Sequence, residues 1–475
     1  MKKLLSLLST VVIIGTSTTS LISCFDTNNE ETSELITAKI NQNKQLLTSD
    51  EMRKRENRNL RHSEFKPTGY FLKKDVTYEI TLNRKGTDDE KENVKLSIGQ
   101  WGQYANPMIK QNDNTFSNYE ITDKKFLLTA KNSGLFYVAD NNQTDLQIID
   151  IQTNNLEDII KIPTFKVNET SQSEFKKQVN ATKSPFVEFV SEHYFATMQT
   201  DMIKNEVINS RLEDNYINAF VAGWDHGWRM TNKFWGLNKE DPGINHKYLQ
   251  YIHIANADES AGYANATAGR VMFPNSSNAG KELFFLIKDQ GALWHESAHT
   301  YTAAQYTFSN TGETRAEVSK VYVQQSLGVK PKVFEFQDVV TKYLNQPDED
   351  KHFLDMKEDY GNNTSTKVSM FWQLNMAFGN NFYTLVNQKY REINNGQDPD
   401  VDPRFQTDEQ KVQGFIKTTS QVSGYNLGVF FLLWGLKATE ATRNEIKNLK
   451  PLTKQIWNNI VEEDTWKNPI VQEIL

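Results

Sequence analysis

The sequence predicts a multidomain α+β protein: an N-terminal β-sandwich followed by a mainly helical domain with a small sheet. Three observations carry this. Short apolar runs of period two crowd the stretch between about residues 63 and 165, longer helical periods dominate from about residue 170, and 38% apolar with 11% aromatic residues over 475 positions is enough to fill sizeable cores.

Met1-Lys2-Lys3 is a short basic start. Leu4 to Ile14 is a mostly apolar run, the length of a signal-peptide core and too short for a comfortable membrane span. Leu21-Ile22-Ser23-Cys24 resembles the lipobox of bacterial lipoproteins, and Cys24 is the only cysteine of the chain. Residues 1–23 are therefore expected to be a lipoprotein signal peptide, with Cys24 acylated and the remainder anchored to the outward face of a bacterial membrane. A single cysteine excludes an intramolecular disulfide and a thiolate zinc cage. Residues 24–60 are rich in Asn, Thr, Glu, Lys and Gln and read as a polar tether with a helix between Ser33 and Arg58. The cluster Arg53-Lys54-Arg55-Glu56-Asn57-Arg58 reads as a solvated face of that helix.

Residues 61–168 form the expected β-sandwich module. Val76 to Leu82 and Val94 to Ile98 alternate with period two, and Phe126-Leu127-Leu128, Leu135 to Val138 and Leu146 to Ile149 are further short runs between turns. Residues 169–450 form the second domain, with helical periods over Phe186 to Met202, Glu313 to Leu327, Met370 to Asn394 and Lys411 to Leu436 and a strand-like stretch from Tyr248 to Ile254. Residues 451–475 read as a helical tail. There is no internal repeat, P-loop or dinucleotide fingerprint. With 53 basic against 60 acidic residues the net charge is −7, which does not suit a nucleic-acid partner.

The segment that carries chemistry is Trp294-His295-Glu296-Ser297-Ala298-His299-Thr300, an H-E-x-x-H pattern. On an α-helix, positions four apart differ by only about 40°, so both imidazoles can share one metal ion. Glu296 lies about 100° round from His295, placed to reach a metal-bound water rather than the metal. That gives a Lewis acid and a carboxylate to take the proton from the water. Only eight residues are histidine, and chance supplies roughly 0.01 such motifs in a chain of this kind.

A catalytic zinc takes three protein ligands and keeps an open position. With no thiol available, the third is His, Asp or Glu. Glu313 and Glu317 lie four apart on the helix predicted downstream, so one can ligate while the other orients a histidine from behind. Tyr322, His226 and Tyr306 are candidates for the donor that stabilises an oxyanion. Trp224-Asp225-His226-Gly227-Trp228 offers aromatic rings for stacking on sugars, with core packing as the plainer reading.

These residues resemble the enhancin and mucin-degrading zinc metallopeptidases, peptidase family M-60. The family has H-E-x-x-H followed by a glutamate opening a helix of the type Glu-Val-…-Tyr-Val-Gln, matched here by Glu317-Val318 and Tyr322-Val323-Gln324. Further similarity lies in Ser63 to Tyr70, Gly134 to Tyr137, Gly269 to Met272, Phe371 to Gly379 and Asn426 to Leu436, so that it covers roughly 60–450. The resemblance implies a zincin-type metallopeptidase domain of the gluzincin kind. It implies one Zn2+ held by His295, His299 and Glu317, with Glu296 as the catalytic base and Glu313 as an alternative or supporting ligand. It further implies protein, glycoprotein or mucin-like substrates. Ala298, Thr300, Arg270-Val271 and Ser319-Lys320 depart from the family pattern and bear on substrate preference. Two other readings stand beside it: a glycoprotein-binding adhesin with catalysis weak or absent, and a glycosidase, which leaves the H-E-x-x-H unexplained. The oligomeric state is not legible.

Overall fold

The computed structural model describes residues 35–39, 47–84, 91–109, 116–139, 146–209, 216–285, 290–329, 336–359, 361–458 and 471. The expected signal peptide, Cys24 and about half of the tether lie outside the described residues, as does the greater part of the tail. Among the described residues no helix is long and apolar enough to cross a membrane.

Among the described residues the first half contains nine strands: β1 (Ile36–Lys39), β2 (Lys66–Leu72), β3 (Thr77–Arg84), β4 (Lys91–Gly99), β5 (Phe116–Asp123), β6 (Lys125–Thr129), β7 (Gly134–Val138), β8 (Leu146–Gln152) and β9 (Ile159–Lys161). They form a four-stranded sheet in the order β1-β8-β3-β6 and a five-stranded sheet in the order β5-β4-β7-β2-β9, antiparallel throughout. Alternation explains the arrangement: Tyr78, Ile80 and Leu82 of β3 and Val94, Leu96 and Ile98 of β4 point the same way along each strand and share one buried cluster.

The second half is built on a six-stranded mixed sheet in the order β10-β11-β12-β13-β15-β14. Its strands are β10 (Thr164–Lys166), β11 (Phe186–Val190), β12 (Tyr194–Gln199), β13 (Ile252–Ala255), β14 (Asn265–Thr267) and β15 (Arg270–Met272). The helical period expected over Phe186 to Met202 is wrong. The segment is the antiparallel pair β11 and β12, closed by one short helical turn. Every residue of β11 is buried, so the strand is covered on both faces and reads as a continuous apolar run without alternation.

The helices include α1 (Ser49–Arg55), α2 (Gln172–Ala181), α3 (Tyr216–Phe234), α4 (Gly291–His299), α5 (Gly312–Ser326), α6 (Asn362–Phe378), α7 (Phe382–Asn394) and α8 (Asp408–Ser423). Two expected long helices are each divided by glycine. Gly379 at φ 85° separates α6 from α7, and Gly424 at φ 75° ends α8 in the left-handed conformation that glycine adopts without strain.

Residues 49–58 are not a solvated tether. Glu56 has no exposed side-chain surface and binds the buried Lys247 ammonium at 2.8 and 2.9 Å, the backbone N–H of Tyr248 at 2.7 Å, and the Arg58 guanidinium. Arg53 reaches Asp398 at 2.9 Å and Asp400 at 3.0 Å. Asn57 and Gln305 exchange amide hydrogen bonds of 2.6 and 3.2 Å. Polar composition misled here because Arg53 and Glu56 are buried against partners from the second half, the condition under which ionic groups tolerate burial.

Helix α4 packs on α3 through one close contact. Trp294 is fully buried, and a Cβ on Gly227 would overlap its indole ring. Gly227 is thus the gap in α3 that admits the residue preceding His295. We predict that Gly227→Ala destabilises the chain by about 1–3 kcal/mol through overpacking. The urea unfolding midpoint checks this, and an unchanged midpoint would show that α4 is not pinned there.

Candidate metal centre

Helix α4 presents the H-E-x-x-H residues. Its first turn is held by Glu282, whose carboxylate accepts the Ala292 N–H at 2.7 Å, a negative charge at the positive end of the helix. At the other end, the Thr300 hydroxyl donates to the Ser297 carbonyl at 2.7 Å and accepts from His62 Nε2 at 2.9 Å. Arg58 donates to the Thr300 carbonyl at 3.4 Å. The N-terminal segment therefore ties down the residue that follows His299.

Helix α5 supplies the facing carboxylates. Glu358 caps it, accepting the N–H of Glu313 at 3.1 Å and that of Thr314 at 2.5 Å. This fixes Glu313 in the first turn, directly opposite the imidazoles. His295 Nε2 and His299 Nε2 are 3.1 Å apart, and Glu313 Oε2 lies 3.0 Å from the first and 3.4 Å from the second. Glu317, one turn further, meets the other side of His295, at 3.1 Å from Nδ1, and binds Lys320 at 2.5 Å.

The helical spacing expected for His295 and His299 thus brings their Nε2 atoms together. Both glutamates of the resemblance reach the imidazoles: Glu313 Oε2 meets both Nε2 atoms, and Glu317 Oε2 meets His295 Nδ1. The reason is the start of α5. With Gly312 as its first residue, the first turn reaches the imidazoles, and the second turn passes alongside His295.

The triangle can be tested against a metal. Nitrogen and oxygen ligands of zinc at about 2.0–2.1 Å in tetrahedral geometry stand about 3.3–3.4 Å from one another. Edges of 3.0, 3.1 and 3.4 Å fit that size closely. The donor set, two imidazoles and a carboxylate, suits zinc, and the Glu317–His295 Nδ1 pair supplies the supporting hydrogen bond that ligating histidines ordinarily have.

Glu296 is buried, with a carboxylate oxygen within 4.8 Å of a ring nitrogen of each of the two histidines. Burial raises its pKa, against the pull of His295, His299 and Arg270. A carboxylate poised upward is suited to accept and return a proton. Arg270, on β15, is buried and stacks on Trp101, with one guanidinium nitrogen bonded to Asn265. Sequence reasoning saw it only as a departure from the family pattern.

The oxyanion candidates fare poorly. Tyr306 is fully buried, with its hydroxyl on Asn387 and its ring on Arg315, and Tyr322 is buried against Phe234. His226 contacts Ser326 at 3.4 Å. Trp224 and Trp228 are buried, so neither stacks on a sugar.

Burial alone would lower the His295 pKa, but its pairs with Glu313 and Glu317 raise it to about 9. The same contacts hold Glu317 down at about 2 and lower Glu313 further. A metal must displace the imidazolium proton, so its binding competes with protons. We predict that apparent zinc affinity rises with pH up to about 9 and levels above, with about one proton released per ion bound near pH 7. Calorimetry in buffers of different ionisation enthalpy measures the release. Affinity flat across this range would contradict the pairing. The sign for stability is the reverse. In the metal-free protein a raised histidine pKa stabilises fully below its unfolded value, near 6.5, and that contribution is lost as pH climbs to about 9.

TRPM8 channel-associated factor 3 from Mus musculus is 20% identical over 340 residues, which are 70% of this chain and 34% of that protein. The chain therefore spans about a third of the length of this curated relative. A functionally unknown conserved protein from Bacillus anthracis str. Ames superposes with a TM-score of 0.76 at 24% identity, over 93% of this chain and 83% of that one. The M60 catalytic domain of Clostridium perfringens ZmpC, solved in complex with the sialyl T antigen, gives a TM-score of 0.67 at 14% identity, over 89% of this chain and 81% of that one. At these identities the likeness to the solved structures is one of fold. A family model described as peptidase M60, enhancin and enhancin-like, matches residues 158–435, more than half of the sequence, and the chain belongs to that family.

Proposed function

We propose that the chain is a surface-anchored zinc metalloendopeptidase acting on glycoprotein or mucin-like substrates. The observation that carries this is the His295–His299–Glu313 triangle with Glu296 beside it. The complex of the ZmpC domain with a glycan antigen supports a glycosylated substrate. The lipobox at Cys24 supports the anchor, and the two N-terminal sheets are read as a β-sandwich module carried between anchor and catalytic half.

In this reading His295, His299 and Glu313 would hold one Zn2+, which when bound would supply Lewis acidity toward the peptide carbonyl and a water of lowered pKa. Glu296 accepts the proton of that water and passes it to the leaving amine. Glu317 keeps the His295 ring in its tautomer and orientation, and Lys320 holds Glu317 in turn.

The test is cleavage of a mucin-type O-glycoprotein by the chain from residue 25 onward. Glu296→Ala is expected to lower kcat/KM by about 100-fold or more, the typical contribution of a general base, while the protein keeps one zinc. A chelator is expected to abolish cutting. An untouched substrate with no bound zinc in the unaltered chain would sink the proposal.

The two glutamates separate by metal content. Glu313→Ala is expected to lose stoichiometric zinc. Glu317→Ala is expected to retain it with affinity reduced about 10–100-fold. The opposite result would return the ligand role to Glu317.

A further inference from the structure

The far end of α4 is held by a histidine that the reaction does not use. His62 is 2% exposed, and its ring stands edge-on to Tyr301 with 5.1 Å between centroids. The Thr300 hydroxyl gives its one hydrogen to the Ser297 carbonyl at 2.7 Å, so toward His62 Nε2, at 2.9 Å, it can only accept. That fixes the tautomer: the proton is on Nε2, and Nδ1 carries a lone pair. Nδ1 is buried and has no hydrogen-bond partner among the described residues.

A second proton on this ring has no place in the closed structure. It would sit on Nδ1 as a donor sealed from water with no acceptor to meet it, and the ring would become a buried cation. The charged groups nearby do not compensate. Arg58, from the same segment, and Lys247, from the second half, face the ring and already share Glu56. Arg391 of α7 reaches the Glu56 carbonyl and adds a third cation. Arg53 of α1 is paired with Asp398 and Asp400, and Arg61 with Glu64. The end of α4 contributes Thr300 and Tyr301, neither of them charged near neutral pH. Among the described residues no carboxylate pairs with His62. Burial, with Arg58 and Lys247 beside it, holds the His62 pKa well below its ordinary 6.5.

We propose that His62 is an acid-released catch: neutral, it fastens residues 58–63 to the end of α4, and protonated, it leaves that seat and frees the residue next to His299. Linkage gives the direction. A ring that resists its second proton when closed takes that proton on opening. The catch therefore holds at full strength above about pH 6.5 and weakens about tenfold per pH unit below, until the pH reaches the closed-state pKa. Release involves neither the metal nor the reaction and stands whether or not the chain cuts peptide bonds. If it does cut them, acid slackens the helix that bears the site.

The test is amide hydrogen exchange of the chain from residue 25 onward, read by mass spectrometry in peptides covering 58–63 and 297–303 and corrected for the intrinsic pH dependence of exchange. Between pH 7 and pH 5 both peptides are expected to open together, about twentyfold more in the unaltered chain than in His62→Gln, whose amide still donates to Thr300 but takes up no proton. Equal pH dependence in the two proteins overturns the proposal. So does opening of 58–63 alone with 297–303 still protected. If His62→Gln fails to fold, deuterium exchange at the imidazole C2 of His62 decides in the unaltered chain. Its titration midpoint in the folded protein is expected well below 6.5, and a midpoint at or above that value overturns the catch.

Discussion

The geometry of the metal centre rests on one steric fact, the fit of Trp294 into the space that Gly227 leaves open in α3. Trp294 is adjacent to His295, so its position sets the rotation of α4 about its own axis. Rotation decides whether the imidazoles face α5 or the core. The far end of the helix is fixed independently, by His62 and Arg58 on Thr300. A helix pinned at both ends holds its side chains to the sub-ångström tolerance that a metal site needs.

Charge placement on α5 reinforces this. Between Glu313 and Glu317 in sequence stands Arg315, 1% exposed, whose three guanidinium nitrogens have no hydrogen-bond partner among the described residues. Its carbon lies 3.5 Å from the centroid of the Tyr306 ring and 5.1–5.2 Å from those of Phe371 and Trp235. Cation–π attraction is the compensation such a burial has. The consequence is mechanical. Arg315 is anchored on the buried side of α5, so the two glutamates, two residues away on either side, are turned toward α4. Three carboxylates then surround two imidazoles, an excess of negative charge that a divalent cation offsets.

The legible part of the molecule is the part whose cause is local. His295, Glu296 and His299 sit within one helical turn and a half, and the helical period alone aligns them. The alternation of β3 and β4 is likewise a property of single strands. Glu313 and Glu317 share a helix face, so periodicity cannot choose between them. What places each of them against the imidazoles is the start of the helix, fixed by Glu358, 45 residues after Glu313. The strands β11 and β12 were hidden because both faces are covered, and the segment around Glu56 because its partner Lys247 lies 191 residues away. Pairing across such distances leaves no trace in local composition.

The same long-range pairing defines the physical unit. The family match begins at residue 158, yet the metal centre depends on residues well before it. Phe65, Phe71, Leu135 and Tyr137 from the first half share a buried cluster with Phe186, Phe195 and Met272 from the second. The Tyr137 hydroxyl bonds Thr197 at 3.1 Å. The backbone of Arg61 and Ser63 joins Gly269 and Tyr251 at 2.9 and 3.0 Å. A chain begun at residue 158 would keep every candidate ligand but lose the counter-charge of Lys247, the cover of that apolar cluster and both contacts on Thr300. Removing one partner of a buried ion pair alone costs about 3–5 kcal/mol, a large share of the 5–15 kcal/mol by which a typical domain is stable. The N-terminal segment and its sheets are therefore part of what makes the H-E-x-x-H helix a site.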